Sequence, residues 1–280
     1  MKKLVIGGAL MVLVAVGCVS ARYERPVDAP VADVTAIDKM TGDELTVKCE
    51  FGGNGCRLPY RLHAPATCEG GTRYPLVLFL HGAGERGNDN TATLVHGVVP
   101  ICRFAMKHGD AFVVAPQCPK GRKWVDQDWS AKSMRRPARP TEELSAVMEL
   151  LKDLCARYPI DRSRIYVTGI SMGGFGTWDL VARLPGFFAA MMPICGGVDE
   201  TTARDYADDG GDLGIRFFHG GADGVVSPDF SRRMDKALAA EGIEHAYVEY
   251  PGVNHNSWTQ TYANDENLLW MFGRQRRKVK

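Results

Sequence analysis

The sequence predicts an α/β chain with a mostly parallel central sheet, helices on both faces and an antiparallel strand pair at the N-terminal edge. Three observations carry this. The runs Tyr74 to Leu80 and Ala111 to Pro116 are continuously apolar, as strands buried on both faces of a parallel sheet must be. Between the second run and the next comes Glu142 to Tyr158, with Leu144, Val147, Met148, Leu150, Leu151, Leu154 and Cys155 at helical spacing, Thr141 as its cap and two glutamates in the first turn. The apolar run Ile165-Tyr166-Val167 then empties through Gly169-Ile170-Ser171-Met172-Gly173 into Phe175, Trp178, Leu180 and Val181, again at helical spacing. With 280 residues, 45% of them hydrophobic and 24% charged, the chain fits one large domain better than two small ones. A net charge of +1 argues against a general nucleic-acid binder.

Taken in order, the first segment stands outside the fold. Lys2 and Lys3 precede an apolar run from Leu4 to Gly17, which reads as an export signal. Ala15-Val16-Gly17-Cys18 has the form of a lipobox, which would place a lipid on Cys18 and make the lipid the chain's link to a membrane; cleavage after Ala21 is the competing reading. The preferred division is a signal peptide over 1–18, a tether over 19–43 and a single domain over 44–280. Removing residues 1–17 takes away two lysines and no acid, leaving a chain close to neutral.

Eight cysteines are present. Apart from Cys18, three crowd together as Cys49, Cys56 and Cys68, where an oxidising compartment could join two in any of the possible pairings; Cys155 and Cys195 lie in apolar surroundings and read as buried thiols. No C-x-x-C occurs, so a structural zinc site is not expected.

From Glu44 the pattern becomes two short alternating runs, Leu45 to Lys48 and Leu58 to Leu62, the antiparallel pair. The strand Tyr74 to Leu80 runs into His81-Gly82-Ala83-Gly84-Glu85-Arg86-Gly87. This contains G-x-G-x-x-G, but no apolar helix opens directly after it, and a dinucleotide site is rejected. A glycine-rich loop beginning with His-Gly has another use: its backbone N–H can meet the oxyanion formed when a serine attacks a carbonyl. Ala83 or Gly84 is the candidate donor, with Met172 as the second; His81 reads as a structural residue shaping the loop.

The connection 119–140 is long and holds Trp124, Trp129 and seven basic residues against Asp126 and Asp128. It is the candidate substrate-facing loop, with a solvated surface loop as the alternative. Two aromatic faces with surplus positive charge would suit a ring-bearing or acidic carbohydrate ester.

At Gly169 to Gly173 the glycines remove the side chains that would collide where a strand turns directly into a helix, leaving Ser171 exposed at the apex of a nucleophile elbow. The run Phe187 to Ile194 is the next strand, and Ile215 to His219 the one after, leading to Asp223 a few residues beyond its end. Asp223 is the candidate acid of a triad, while Asp229 is expected to cap a helix over Phe230 to Ala240. The last strand, Ala246 to Tyr250, precedes His255, the candidate general base, followed by Trp258. The order serine, acid, histidine on successive strand-end loops completes the arrangement. Glu266 to Phe272 reads as a terminal helix with Leu268, Leu269 and Trp270 inward and a basic end meeting the helix dipole.

The set LFLHGAGERGNDN, APQCPKGRKW, RIYVTGISMGGFGTWDL, PICGG, HGGAD and YPGVNHNSW resembles the secreted α/β-hydrolases of the predicted-peptidase and phospholipase/carboxylesterase-like group, relatives of dienelactone hydrolases and of the feruloyl and acetylxylan esterases of carbohydrate esterase family one. The resemblance covers roughly residues 57–272. It implies the α/β-hydrolase fold, Ser171 as nucleophile, Asp223 as acid, His255 as base, and an oxyanion hole from Met172 and the His81 to Gly84 loop. It adds Trp124 and Trp258 to the possible walls of the site beside Trp129, and calls for no cofactor or metal. The arginine-rich stretch 130–140 departs from the family pattern. The expected activity is hydrolysis of a small-molecule or polysaccharide-linked ester; a serine peptidase and an inactive envelope binding lipoprotein are the alternatives.

Overall fold

The computed structural model describes residues 34–277 apart from 54–55, 67, 69–70, 130 and 208–211. The expected signal segment and Cys18 lie outside the described residues.

Two short helical turns, α1 (Val34–Ile37) and α2 (Gly42–Leu45), lead into the antiparallel strands β1 (Val47–Gly53) and β2 (Cys56–His63). There follow β3 (Tyr74–Leu80), α3 (Val98–Lys107), β4 (Phe112–Pro116), α4 (Glu142–Arg157), β5 (Ile160–Ile170), α5 (Met172–Arg183), β6 (Ala190–Ile194), β7 (Gly214–Gly220), α6 (Asp229–Ala240), β8 (Ala246–Tyr250), α7 (Trp258–Ala263) and α8 (Asp265–Phe272). The strands form one sheet in the order β1-β2-β4-β3-β5-β6-β7-β8. β2 pairs antiparallel with both β1 and β4, and every later pairing is parallel. This is the α/β-hydrolase arrangement expected from the sequence, with its antiparallel strands at the start.

Alternation along β3 divides the core. Leu76, Leu78 and Leu80 face α4, α5 and α6, whose Leu150, Phe175, Trp178 and Phe230 are buried with them. Val77 and Phe79 face the other layer, with Ile101 and Phe104 of α3, Tyr262 of α7 and Leu268 and Met271 of α8. Successive side chains of a strand point to opposite faces, so a run apolar at every position needs helices on both sides. The Thr141 hydroxyl caps α4 by accepting from the Leu144 amide at 3.1 Å, as expected.

Several boundaries and packings differ from expectation. The part of the tether that is described is not loose: Ile37 is buried, Arg103 of α3 donates to the Met40 carbonyl at 2.8 Å, and Lys107 pairs with Asp38. Its apolar anchors, Ile37 and the half-buried Met40, are too few to show as a periodic pattern. The strand expected from Phe187 begins at Ala190, and Phe188 packs in the core ahead of it. Asp229 is the first residue of α6 rather than its cap, and its carboxylate reaches Arg232 at 2.8 Å. Leu269 points outward, half exposed, while Leu268 and Met271 are buried. The basic end after α8 anchors the chain: Arg276 is buried and donates to the Phe188 carbonyl at 3.1 Å, and Arg277 pairs with Asp212. Cys49, Cys56 and Cys68 are free thiols. The β1–β2 register places Cys49 opposite Tyr60 and Cys56 opposite Gly53, so the two strands do not present those cysteines to each other.

Candidate active site

The geometry starts at the turn between β5 and α5. Ser171 has φ +51° and ψ −117°, a conformation that non-glycine residues seldom adopt and that lifts its side chain out of both elements. The neighbours leave no room for anything but backbone. A Cβ added at Gly169 would lie 2.4 Å from the Gly173 carbonyl oxygen, and one added at Gly173 would lie 1.9 Å from the Leu80 oxygen. The Ser171 amide donates to the Ile194 carbonyl at 2.9 Å, tying the turn to β6.

Two loops at the same end of the sheet complete a relay. His255 Nε2 is 2.9 Å from Ser171 Oγ, and His255 Nδ1 is 2.7 Å from Asp223 Oδ2. Asp223 Oδ1 accepts from the amides of Val225 and Val226 at 2.8 and 3.0 Å. The loop bearing the acid and the loop bearing the histidine are stitched together by Ala222 N–H donating to the Val253 carbonyl at 2.9 Å, and by Asn254 Oδ1, which accepts from the Gly224 and His255 amides. Burial pushes the Asp223 carboxyl up, but hydrogen bonds from His219, His255 and the two amides outweigh it and hold the group well below the usual carboxylate range. The acid therefore stays charged while Nδ1–H points at it, which leaves Nε2 free to accept from the serine hydroxyl.

The oxyanion candidates lie at the start of α5 and in the loop after β3. Met172 opens α5, so its amide has no partner within the helix. Ala83 and Gly84 lie in the 3₁₀ turn Ala83–Glu85 after β3. In a trans peptide the N–H points away from the preceding C=O, so holding a carbonyl aims the next amide. His81 Nδ1–H donates to the Gly82 carbonyl at 2.6 Å, which orients the Ala83 N–H, and Arg86 Nε donates to the Ala83 carbonyl at 2.8 Å, which orients that of Gly84. Trp124 Nε1 holds the His81 carbonyl at 3.0 Å. His81 Nε2 accepts from the Cys118 amide at 2.9 Å, which places the ring proton on Nδ1.

His81 thus shapes the loop as a neutral ring. Burial lowers its pKa to about 4, more than the hydrogen bond to Gly82 raises it. The sign follows from linkage. Above the ordinary histidine value of about 6.5 both folded and unfolded states are neutral and nothing is lost; below it the unfolded chain takes a proton that the folded one refuses, so stability declines until about pH 4. The expected decline is about 3 kcal/mol across that window. Guanidinium unfolding of wild type and His81→Gln at pH 7.5 and 4.5 checks this, and equal losses in the two proteins would remove His81 as the cause.

The three tryptophans do not share one role. Trp124 is a correction to the expected wall: it is fully buried, with its Cβ against Gly176 of α5 and its ring 5.3 Å from His81, so it can reach substrate only through the loop it supports. Trp129 is partly exposed and borders an open cleft of about 510 Å³ with Lys123, Asp126, Gln127, Asp128 and Val225. Lys123 Nζ and the Arg86 guanidinium lie 5.0 and 5.7 Å from its ring. Trp258 stands edge-on to His255 at 5.4 Å. A larger hollow, about 650 Å³ around Arg73, Tyr158 and Arg162, sits by the start of β5, at the far end of the sheet from Ser171.

Three arginines of the 119–140 connection are tied to acids of neighbouring elements. Arg122 pairs with Glu142 and Glu143, Arg135 with Asp199, and Arg136 with Asp205. They pin the loop to α4 and to the 3₁₀ segment Glu200–Tyr206. Among the described residues, the atoms of Cys195, Asp223 and His255 come within 4.8 Å of one another, a spacing that could hold a cation, but both ring nitrogens of His255 and Asp223 Oδ2 are already engaged in the relay. Sequence reasoning missed Arg86, which aims the loop amide, and His219, which touches Asp223.

A family model described as phospholipase/carboxylesterase matches residues 64–267. Poly(3-hydroxyalkanoate) depolymerase C of Paucimonas lemoignei is 28% identical over 164 residues, 59% of this chain and 37% of that protein. The Aspergillus flavus protein named "Probable feruloyl esterase C" is 27% identical over 205 residues, 72% of this chain and 68% of that one. The crystal structure of a thermostable esterase superposes with a TM-score of 0.74 at 37% identity, covering 83% of this chain and 64% of that chain. The chain thus spans little more than a third of the depolymerase and just under two thirds of the thermostable esterase.

Proposed function

From a chain that belongs to the phospholipase/carboxylesterase family, we infer a serine hydrolase of carboxylic esters that works through Ser171, His255 and Asp223. The observation that carries this is the unbroken relay from Ser171 Oγ to His255 to Asp223, at 2.9 and 2.7 Å, built on an elbow that holds the serine out of both its strand and its helix.

His255 takes the Ser171 proton as the oxygen attacks the ester carbonyl; Asp223 stabilises the imidazolium, and the amides of Met172 and of Ala83 or Gly84 receive the oxyanion. The tetrahedral adduct collapses with His255 protonating the departing alcohol. Water, deprotonated by the same histidine, attacks the acyl carbon, and His255 returns the proton to Ser171 Oγ as the acid leaves. Apart from the water, the groups of this chain carry every proton and charge in that sequence. Nothing in it calls for a cofactor.

The substrate class proposed is an acyl or aromatic ester carried on carbohydrate. The partly exposed Trp129 cleft beside the acid loop supports it, as does likeness to a protein named as a feruloyl esterase. Export on the N-terminal signal, with a lipid on Cys18, belongs to the same proposal. Turnover of p-nitrophenyl acetate, methyl ferulate and an aminoacyl p-nitroanilide tests the reading. Ester cleavage with a higher kcat/KM for the ferulate is the expected pattern. Cleavage of the anilide alone would replace the esterase with a peptidase, and a folded protein inert on all three would favour a binding role.

A further inference from the structure

His219 plays no part in the steps above, yet it is fully buried against the acid of the relay. It is the penultimate residue of β7, and Asp223 follows four positions later. Its Nε2 lies 3.2 Å from Asp223 Oδ2 and 3.0 Å from the Val226 carbonyl oxygen. Both are acceptors, so Nε2 must carry the proton. On the other side Nδ1 is 2.8 Å from the hydroxyl of Ser231, a buried residue in the first turn of α6. A neutral ring with its proton on Nε2 accepts there from the serine O–H.

Resting on the triad reading, we propose that His219 is a positioning residue that clamps the Asp223 carboxylate for His255. Oδ1 is held by two backbone amides, while Oδ2 is shared between His255 Nδ1 and His219 Nε2. Every acceptor direction of the carboxylate is then in use, and rotation of the group would break bonds at both oxygens. Without His219, Oδ2 would be held only by the ring whose charge changes during catalysis. The second donor also draws charge from the carboxylate, making it a weaker base towards the His255 imidazolium.

The other polar groups at this corner are engaged or neutral. Glu249, opposite His219 in the β7–β8 register, is bound by Arg232 at 2.9 and 2.6 Å and by the Tyr247 hydroxyl at 2.7 Å. The buried Cys195 thiol, near Asp223 and His255, has its pKa pushed up by burial. Asp223 and Ser231 are the partners already named. On the far side His255 meets Ser171 and the edge of Trp258. His219, with no exposed surface, cannot touch substrate.

The experiment compares wild type, His219→Met, His219→Gln and Ser231→Ala on p-nitrophenyl acetate, taking kcat and KM separately across pH and monitoring folding by circular dichroism. Loss of a hydrogen bond to a charged group predicts a fall of about 10- to 100-fold in kcat for His219→Met. KM should stay within about twofold, because the lost contact acts through Asp223 and not on bound substrate. The acid limb of the rate should move to higher pH, since a less-shared carboxylate stabilises the imidazolium more. His219→Gln, whose amide nitrogen reaches towards the Nε2 position, should recover most of the rate. Ser231→Ala should reproduce the shift of the limb on a smaller scale, and it serves as the deciding variant if His219→Met does not fold. A kcat and an acid limb equal to wild type in the deciding variant would overturn the clamp while leaving the triad standing. A wild type inert on esters and unlabelled at Ser171 by a fluorophosphonate would overturn both.

Discussion

Ser171→Ala is expected to lower ester turnover by about 10⁴- to 10⁶-fold, the range in which removal of a serine nucleophile leaves only binding and oxyanion stabilisation at work. The argument is geometric. Alanine deletes the oxygen that His255 Nε2 meets at 2.9 Å, and among the described residues no other hydroxyl bonds to that nitrogen. Stability should change little, within about 1 kcal/mol, because the hydroxyl's hydrogen bond is to the partly exposed His255 and the φ of +51° is as awkward for alanine as for serine. Burst kinetics with p-nitrophenyl acetate and mass spectrometry for an acylated Ser171 are the measurements. A variant that keeps a tenth of the wild-type rate would end the case for this nucleophile, whatever the substrate.

Gly173→Ala is expected to be the most damaging single added methyl group among the described glycines. Its Cβ would fall 1.9 Å from the Leu80 oxygen, 2.4 Å from the Leu80 carbonyl carbon and 2.8 Å from the His81 oxygen, and all three are backbone atoms. A flexible side chain could move aside; these cannot. Leu80 ends β3, which is held between β4 and β5, so relief requires parting β3 from the elbow. A destabilisation above about 4 kcal/mol is expected. Any protein that does fold should lose a further 10²- to 10³-fold in rate, since the displaced loop carries Ala83 and Gly84. Thermal unfolding followed by ester assay is the check, and wild-type values for both would mean that the close approach of β3 and the elbow is not a constraint.

Much of this was legible from residues in order. Ser171, Asp223 and His255 were chosen because each follows a strand of a parallel sheet, and loops after such strands share one end of the molecule; the structure brings these three side chains within hydrogen-bonding distance. Gly169 and Gly173 announced the tight turn through spacing alone. What stayed hidden was pairing over distance. Arg135 and Asp199 are 64 residues apart, so the sequence could not show that Arg122, Arg135 and Arg136 of the basic loop act as anchors to neighbouring elements. Trp124 sits among lysines, prolines and aspartates, a context that reads as exposed, and only the groove beside Gly176 explains its burial. The described part of the arm before Gly42 packs through only Ile37 and the half-buried Met40, and two residues three apart show no period. His219 was passed over as a strand-end residue, although its partner stands only four positions on.

The position of β8 predicts a built-in fuse for the proposed activity. This strand is one of the sheet's two edges, bonded to β7 alone, and every one of its residues is partly exposed, whereas β5 lies between β3 and β6. Ser171 therefore hangs from the buried end of an interior strand and His255 from an edge strand. Hydrogen exchange should show amides at 246–250 opening well before those at 165–170, and equal protection of the two would argue against a fuse. Warming or mild denaturant would then peel His255 away while the core still stands. Catalysis would be extinguished reversibly, at a lower temperature than the one that destroys the fold.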